Sequence, residues 1–89
     1  MIYEYYKVDG TKEKIECKEP LSLERLQSLV GGYIELVRIG AYAFMVNEEG
    51  LLQGLKPNPF YPQFVGNIVK GKTKGSNFVG LSKVIASGR

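Results

Sequence analysis

The sequence predicts an α+β fold: a curved, mostly antiparallel sheet of five to seven short strands with one main helix, residues 22–30, packed on it. Three observations carry this. Residues 2–8 alternate at period two and run into Asp9-Gly10, a hairpin signal. Leu23, Leu26 and Val30 recur at helical spacing between a capping serine and a Gly-Gly pair. Beyond Gly32, turn residues cut the chain into short β-rich runs.

In strand 2–8, Tyr3, Tyr5 and Lys7 share one side, and Ile2, Glu4, Tyr6 and Val8 the other. Asp9-Gly10 predicts a two-residue type I′ turn, which needs positive φ at both centres. The return strand, 11–18, turns Ile15 and Cys17 inward among charges, a composition suited to a sheet edge. Pro20 ends it. Ser22 is placed to accept from a first-turn amide, Glu24 lies where the helix dipole favours an anion, and Gly31 stands where a left-handed C-cap is wanted. Tyr33 to Ile39, apolar on both faces apart from Glu35 and Arg38, reads as the central strand. Gly40-Ala41 reverses the chain into strand 42–46, and Asn47-Glu48-Glu49-Gly50 predicts a type I turn. Leu51 and Leu52 are expected to begin a returning strand. Residues 54–62, with Pro57, Pro59 and Pro62, are an irregular loop that Phe60 and Tyr61 pin to the body. Strand 64–69, a polar loop 70–77, a short strand 78–81 and a helical turn 83–86 complete the reading. The opening strand–hairpin–strand–helix order resembles the start of a β-grasp.

Eighty-nine residues allow a single domain, 1–89, that buries about 60–65% of its unfolded surface. An apolar fraction of 44%, with six tyrosines and four phenylalanines, belongs to a folded chain. No apolar run spans a bilayer, and the N-terminus lacks the basic-then-apolar plan of a signal peptide. One cysteine and no histidine leave no intrachain disulfide and no cysteine–histidine metal cluster. The expectation is a soluble, cytoplasmic protein with no cofactor, no metal and no membrane contact. The net charge of +3 is divided: residues 1–49 carry nine acids and six bases, residues 50–89 six bases and no acid. That polarity suits an acidic partner or a phosphate backbone, or a solvated surface whose halves balance in the fold.

Leu26-Gln27, Val30-Gly31-Gly32, Ile34-Glu35, Asn47-Glu48-Glu49-Gly50, Gly54-Leu55, Asn58, Gly66-Asn67 and Gly80-Leu81-Ser82 occur in an order that resembles a phage-associated domain of unknown function. The likeness covers roughly residues 20 to 82 and implies a viral or mobile-element origin, without a reaction. The sequence departs from that pattern after Asn58, where Pro59-Phe60-Tyr61-Pro62 replaces small residues.

Gly66 to Thr73 matches G-x-x-x-x-G-K-T, but Asn67-Ile68-Val69 reads as the strand itself and no acid follows Glu49 to hold magnesium, so the match is a coincidence. Lys70, Lys72 and Lys74 are expected on one basic loop, able to touch phosphates or simply solvated. Glu48 and Glu49 read as ionised carboxylates at a turn. Glu35, within an apolar strand, needs donors from the Gly31-Gly32 corner or from a ligand. Cys17 has no activating neighbour and reads as an inert thiol.

The function expected first is a non-catalytic accessory protein that binds a host protein or other macromolecule. Second is a binder of a phosphorylated small molecule, with Gly31, Gly32, Glu35, Asn47 and Asn58 lining the pocket and Lys70 or Lys72 on the phosphate. Third is weak, non-specific nucleic-acid binding through Lys70, Lys72 and Lys74. An enzyme is not expected. A homodimer is expected, through a sheet edge or through Tyr3, Tyr5 and Tyr6, which are more aromatic surface than one small helix covers.

Overall fold

A computed structural model describes residues 1–72. Its elements run β1 (Ile2–Tyr6), β2 (Lys12–Glu16), α1 (Leu23–Val30), β3 (Ile34–Ile39), β4 (Tyr42–Asn47) and β5 (Ile68–Lys72). The five strands form one antiparallel sheet in the order β2-β1-β5-β4-β3. The expected strand 78–81 and helical turn 83–86 lie outside the described residues.

Period-two alternation gives the sheet two apolar faces. Tyr3, Tyr5, Ile34, Ala43, Met45 and Val69 pack under Leu26, Leu29 and Val30 of α1. On the opposite face Tyr6, Phe44, Val46 and Ile68 meet Tyr61 and Phe64 of the proline-rich loop. The loop is pinned by ring contacts: Tyr61 lies 5.1 Å from Tyr6 and 4.9 Å from Phe44, both edge-on, and Phe60 lies 5.0 Å from Tyr6.

Helix α1 is bounded as its sequence predicts. Ser22 Oγ accepts from the Arg25 amide, and Gly31, at φ +83°, donates its amide to the Gln27 carbonyl. Replacing Ser22 with Ala should cost about 1 kcal/mol, lowering the melting temperature by roughly 4–8 °C. A circular-dichroism melt unchanged by the substitution would show that the cap is not needed.

Four readings are corrected. The first hairpin is not a two-residue type I′ turn. Gly10 alone has positive φ, its amide donates to the Lys7 carbonyl, and the Lys7 amide donates to the Thr11 carbonyl. The loop is therefore Val8-Asp9-Gly10, a type I turn closed by a left-handed glycine. Asp9 takes the Thr11 hydroxyl and amide, and these bonds hold its carboxyl below the usual range. Among the described residues, strand β3 lies at a sheet edge; β5 is central, because the last described strand inserts between β1 and β4. Leu51 and Leu52 do not begin a strand. They sit in successive turns closed by Gln53 N–H to Glu49 O, Gly54 N–H to Leu51 O and Leu55 N–H to Gly50 O. Lys70 and Lys72 lie in β5, not in a loop. The same placement removes the phosphate-loop coincidence, since the middle of that motif is a sheet strand.

Candidate functional site

The proline-rich loop covers only part of the second face. Where it stops, the strands form an open groove of about 810 Å³, lined by Met1, Ile2, Glu4, Lys12, Lys14, Tyr42, Lys70 and Lys72 among others. Register assembles it. Glu4 stands opposite Lys14 on one side and Lys70 on the other, and Lys70 in turn stands opposite Phe44. Tyr42 stands opposite Lys72 and Ile2 opposite Glu16, which makes a second row. The result is a rim of four lysines over an apolar and aromatic floor, interrupted by two carboxylates, Glu4 and Glu13.

Lys70 is the most constrained charge in the groove. Its side chain is 14% exposed, and its Nζ donates to Tyr61 Oη at 2.9 Å and lies 3.9 Å from Glu4. The ammonium sits 4.1 Å above the Tyr42 ring, with Tyr61, Phe44 and Tyr6 around it at 5.5 to 6.0 Å. The bond to Tyr61 raises its pKa against the burial that would lower it, so it stays cationic. Burial raises the neighbouring Tyr6 phenol, which stays neutral. Lys12 and Lys14 are held loosely, at 3.5 Å from Glu4 and 3.2 Å from Glu16, on exposed side chains where such pairs contribute little. Lys72 is exposed.

The other candidate residues divide between the faces and ends of the sheet. Gly31, Gly32 and Asn47 do meet. Asn47 Nδ2 donates to the Val30 carbonyl at the helix end and to Gln53 Oε1, and it lies 3.2 Å from where a side chain on Gly32 would begin. Asn47 Oδ1 accepts the Glu49 amide, and the Gly50 amide donates to the Asn47 carbonyl, which closes the predicted turn. Asn58 is fully buried elsewhere. It donates to the Tyr6 and Gly66 carbonyls and accepts from the Phe60 and Tyr61 amides. Glu35 is exposed on the edge strand and needs no donor from the glycine corner. It lines a 390 Å³ hollow with Asn47, Glu48, Glu49, Leu51 and Leu52 among others, whereas Gly31 lines a separate 240 Å³ hollow with Gln53, Lys56 and Asn67. The pocket expected from Gly31, Gly32, Glu35, Asn58 and Lys70 together is thus spread over distinct places. Lys74 lies outside the described residues.

A family model described as a domain of unknown function, DUF3846, matches residues 4–87. The chain belongs to the DUF3846 family. Among curated proteins and among solved structures, nothing matches. Several of the residues that carried the sequence resemblance are used within the fold. Gly31 caps the helix, Asn47 holds the helix end, and Asn58 ties the loop to β1. A side chain on Gly50 would begin 2.5 Å from Val65, and one on Gly66 2.8 Å from Leu55. Those residues serve the fold, while the groove is lined by others.

Sequence reasoning missed Ile2, Glu4, Lys12, Lys14 and Tyr42 as groove residues. Part of the signal was available: the hairpin brings β2 beside Glu4, but the expected two-residue turn would set Glu4 opposite Ile15, and only the three-residue loop sets it opposite Lys14. Their meeting with Lys70 depends on β5 inserting beside β1, which no local pattern announces.

Proposed function

We propose that this DUF3846 chain is a non-catalytic accessory protein of viral or mobile-element origin that binds a host protein, and that the groove on the second sheet face is the surface it uses. The groove itself carries the reading: Lys12, Lys14 and Lys72 stand around a floor containing Ile2 and Tyr42, with Glu4 and Glu13 between them. A protein segment combining acidic and apolar side chains is its chemical complement, since opposite potentials steer encounter and the floor supplies burial. The origin rests on the resemblance in residues 20 to 82. The phosphorylated-ligand reading is less well supported because its residues are dispersed, and the nucleic-acid reading loses Lys70, whose ammonium is engaged internally.

The test compares the full chain with its Lys12→Glu/Lys14→Glu/Lys72→Glu variant, each immobilised in extract of the native host and cross-linked before mass spectrometry. A partner recovered on the wild type and depleted about tenfold or more on the variant, at equal melting temperature, supports the groove. Equal recovery on both sinks it. Loss of capture after nuclease digestion would transfer the surface to nucleic acid.

A further inference from the structure

Lys70 is held differently from the other lysines of the sheet. Among the described residues, two others lie over a ring, Lys7 over Tyr5 at 5.5 Å and Lys12 over Tyr6 at 5.7 Å, each against one ring only. Lys70 is enclosed by four. Its Nζ is 4.1 Å from the centroid of Tyr42, 5.5 Å from Tyr61, 5.9 Å from Phe44 and 6.0 Å from Tyr6. Register explains the enclosure. Phe44 stands opposite Lys70, Tyr42 follows on the same side of β4, and Tyr6 shares its side of β1 with Glu4, which also stands opposite Lys70. The proline-rich loop brings Tyr61 edge-on against Tyr6 and Phe44. The expected dimer through Tyr3, Tyr5 and Tyr6 is corrected by the same packing, because α1 and the proline-rich loop bury all three and β1 lies inside the sheet.

We propose that Tyr6, Tyr42, Phe44 and Tyr61, with Glu4, form a binding site for a primary alkylammonium group, and that Lys70 is its ligand in cis. Ring faces carry the negative part of the aromatic quadrupole, so walls of this kind attract a cation more than a neutral group of the same size. Two further groups act in the same direction. Tyr61 Oη accepts from the ammonium at 2.9 Å, and a Glu4 carboxylate oxygen lies 3.9 Å from it. Rings, acceptor and carboxylate come from β1, β4 and the proline-rich loop, and the cation alone comes from β5. The walls are therefore separable from the ligand they hold.

In the intact chain the site is filled. A side chain attached at the wall acts at an effective concentration far above that of a free amine, so an added amine does not displace it. Lys70→Ala separates ligand from site. It removes the outer methylenes and the ammonium and leaves the four rings, Tyr61 Oη and Glu4 in place. The atoms removed are those of n-propylammonium. That fixes the class of ligand: an unbranched, protonated primary amine that lies where the lysine side chain lay. The neutral control is n-propanol, which has the same shape and a hydrogen-bonding hydroxyl but no charge.

Melting temperatures of Lys70→Ala, titrated with n-propylammonium chloride and separately with n-propanol, test this, with the wild type titrated alongside to remove salt and co-solvent effects. The apparent dissociation constant should be about tenfold lower for n-propylammonium than for n-propanol. Equal stabilisation by the two, or by neither, would overturn the inference. Adding Tyr42→Leu to Lys70→Ala replaces the nearest ring by an apolar wall and should erase most of that preference. A preference that stays at about tenfold would place the selectivity outside the rings and overturn the inference as well. If Lys70→Ala does not fold in buffer, its refolding yield in n-propylammonium against n-propanol reads the same preference, and failure in both counts against the site. Lys12, Lys14 and Lys72 are untouched by these variants. Absence of rescue therefore leaves partner capture by the groove standing, and absence of capture leaves the ammonium site standing.

Discussion

Asn58→Ala should destabilise the domain by about 3–4 kcal/mol, the largest effect expected of any single polar substitution. Asn58 is fully buried and uses both halves of its amide: Nδ2 serves the carbonyls of Tyr6 and Gly66 at 3.1 and 3.0 Å, and Oδ1 takes the amides of Phe60 and Tyr61 at 2.9 and 3.3 Å. Truncation strands four backbone groups at the junction of β1, the proline-rich loop and Gly66, two residues before β5. In a chain of this size the loss corresponds to a fall of roughly 15–30 °C in melting temperature. Asn58→Asp separates packing from hydrogen bonding. It keeps the shape and the acceptors but turns the donor half into a second oxygen facing two carbonyls. That environment favours the protonated carboxyl, so the penalty should be largest at neutral pH and shrink as pH falls toward the ordinary Asp value of about 3.9. Denaturant midpoints measured at both pH values check this, and equal penalties would show that the donors are dispensable.

Lys70→Glu should cost about 3 kcal/mol or more, because it places a carboxylate among four ring faces and beside Glu4, with little water to screen it. Lys70→Met keeps the stem on the rings and removes the ammonium. It should stay within about 1 kcal/mol of the wild type, since the lost bond to Tyr61 is offset by the desolvation no longer required. The pair of variants decides what this lysine does. If Lys70→Met leaves both stability and partner capture unchanged, Lys70 is scaffold and the working charges of the groove are Lys12, Lys14 and Lys72. If stability holds while capture falls, the ammonium itself meets the partner. A melting temperature for Lys70→Glu equal to that of the wild type would contradict the enclosed position of the side chain.

Much of the fold was legible because its signals are local. Ser22, the apolar spacing of α1 and Gly31 act over a few residues, and the structure places each where that spacing requires. The same holds for the charged edge strand β2, the Asn47 to Gly50 turn and the pinning of the loop by Phe60 and Tyr61. The first hairpin was legible as a hairpin but not in its turn type. Asp-Gly suits both a two-residue loop and the last two positions of a three-residue one, and strand register selects between them.

The misreadings share a different cause. Leu51 and Leu52 look like a strand because apolar pairs carry high β propensity, yet propensity yields when the turn at Asn47 is followed immediately by further turns. Lys70-Gly71-Lys72 looks like a loop because two lysines flank a glycine. It becomes the end of the central strand because it fills the ladder between β1 and β4.

On its own, the sequence determined the helix and its caps, the number of faces each strand offers, the charged edge and membership of the DUF3846 family. Those depend on steric and hydrogen-bonding preferences a few residues long. Tertiary structure alone decided that β5 is central and β3 an edge. It likewise decided that Asn58 is a buried tie, and that Glu4, Lys14, Lys70 and Tyr42 share a groove. Those follow from which strands complete one another's ladders, a choice among pairings 60 or more residues apart between β1 and β5 that no local pattern encodes.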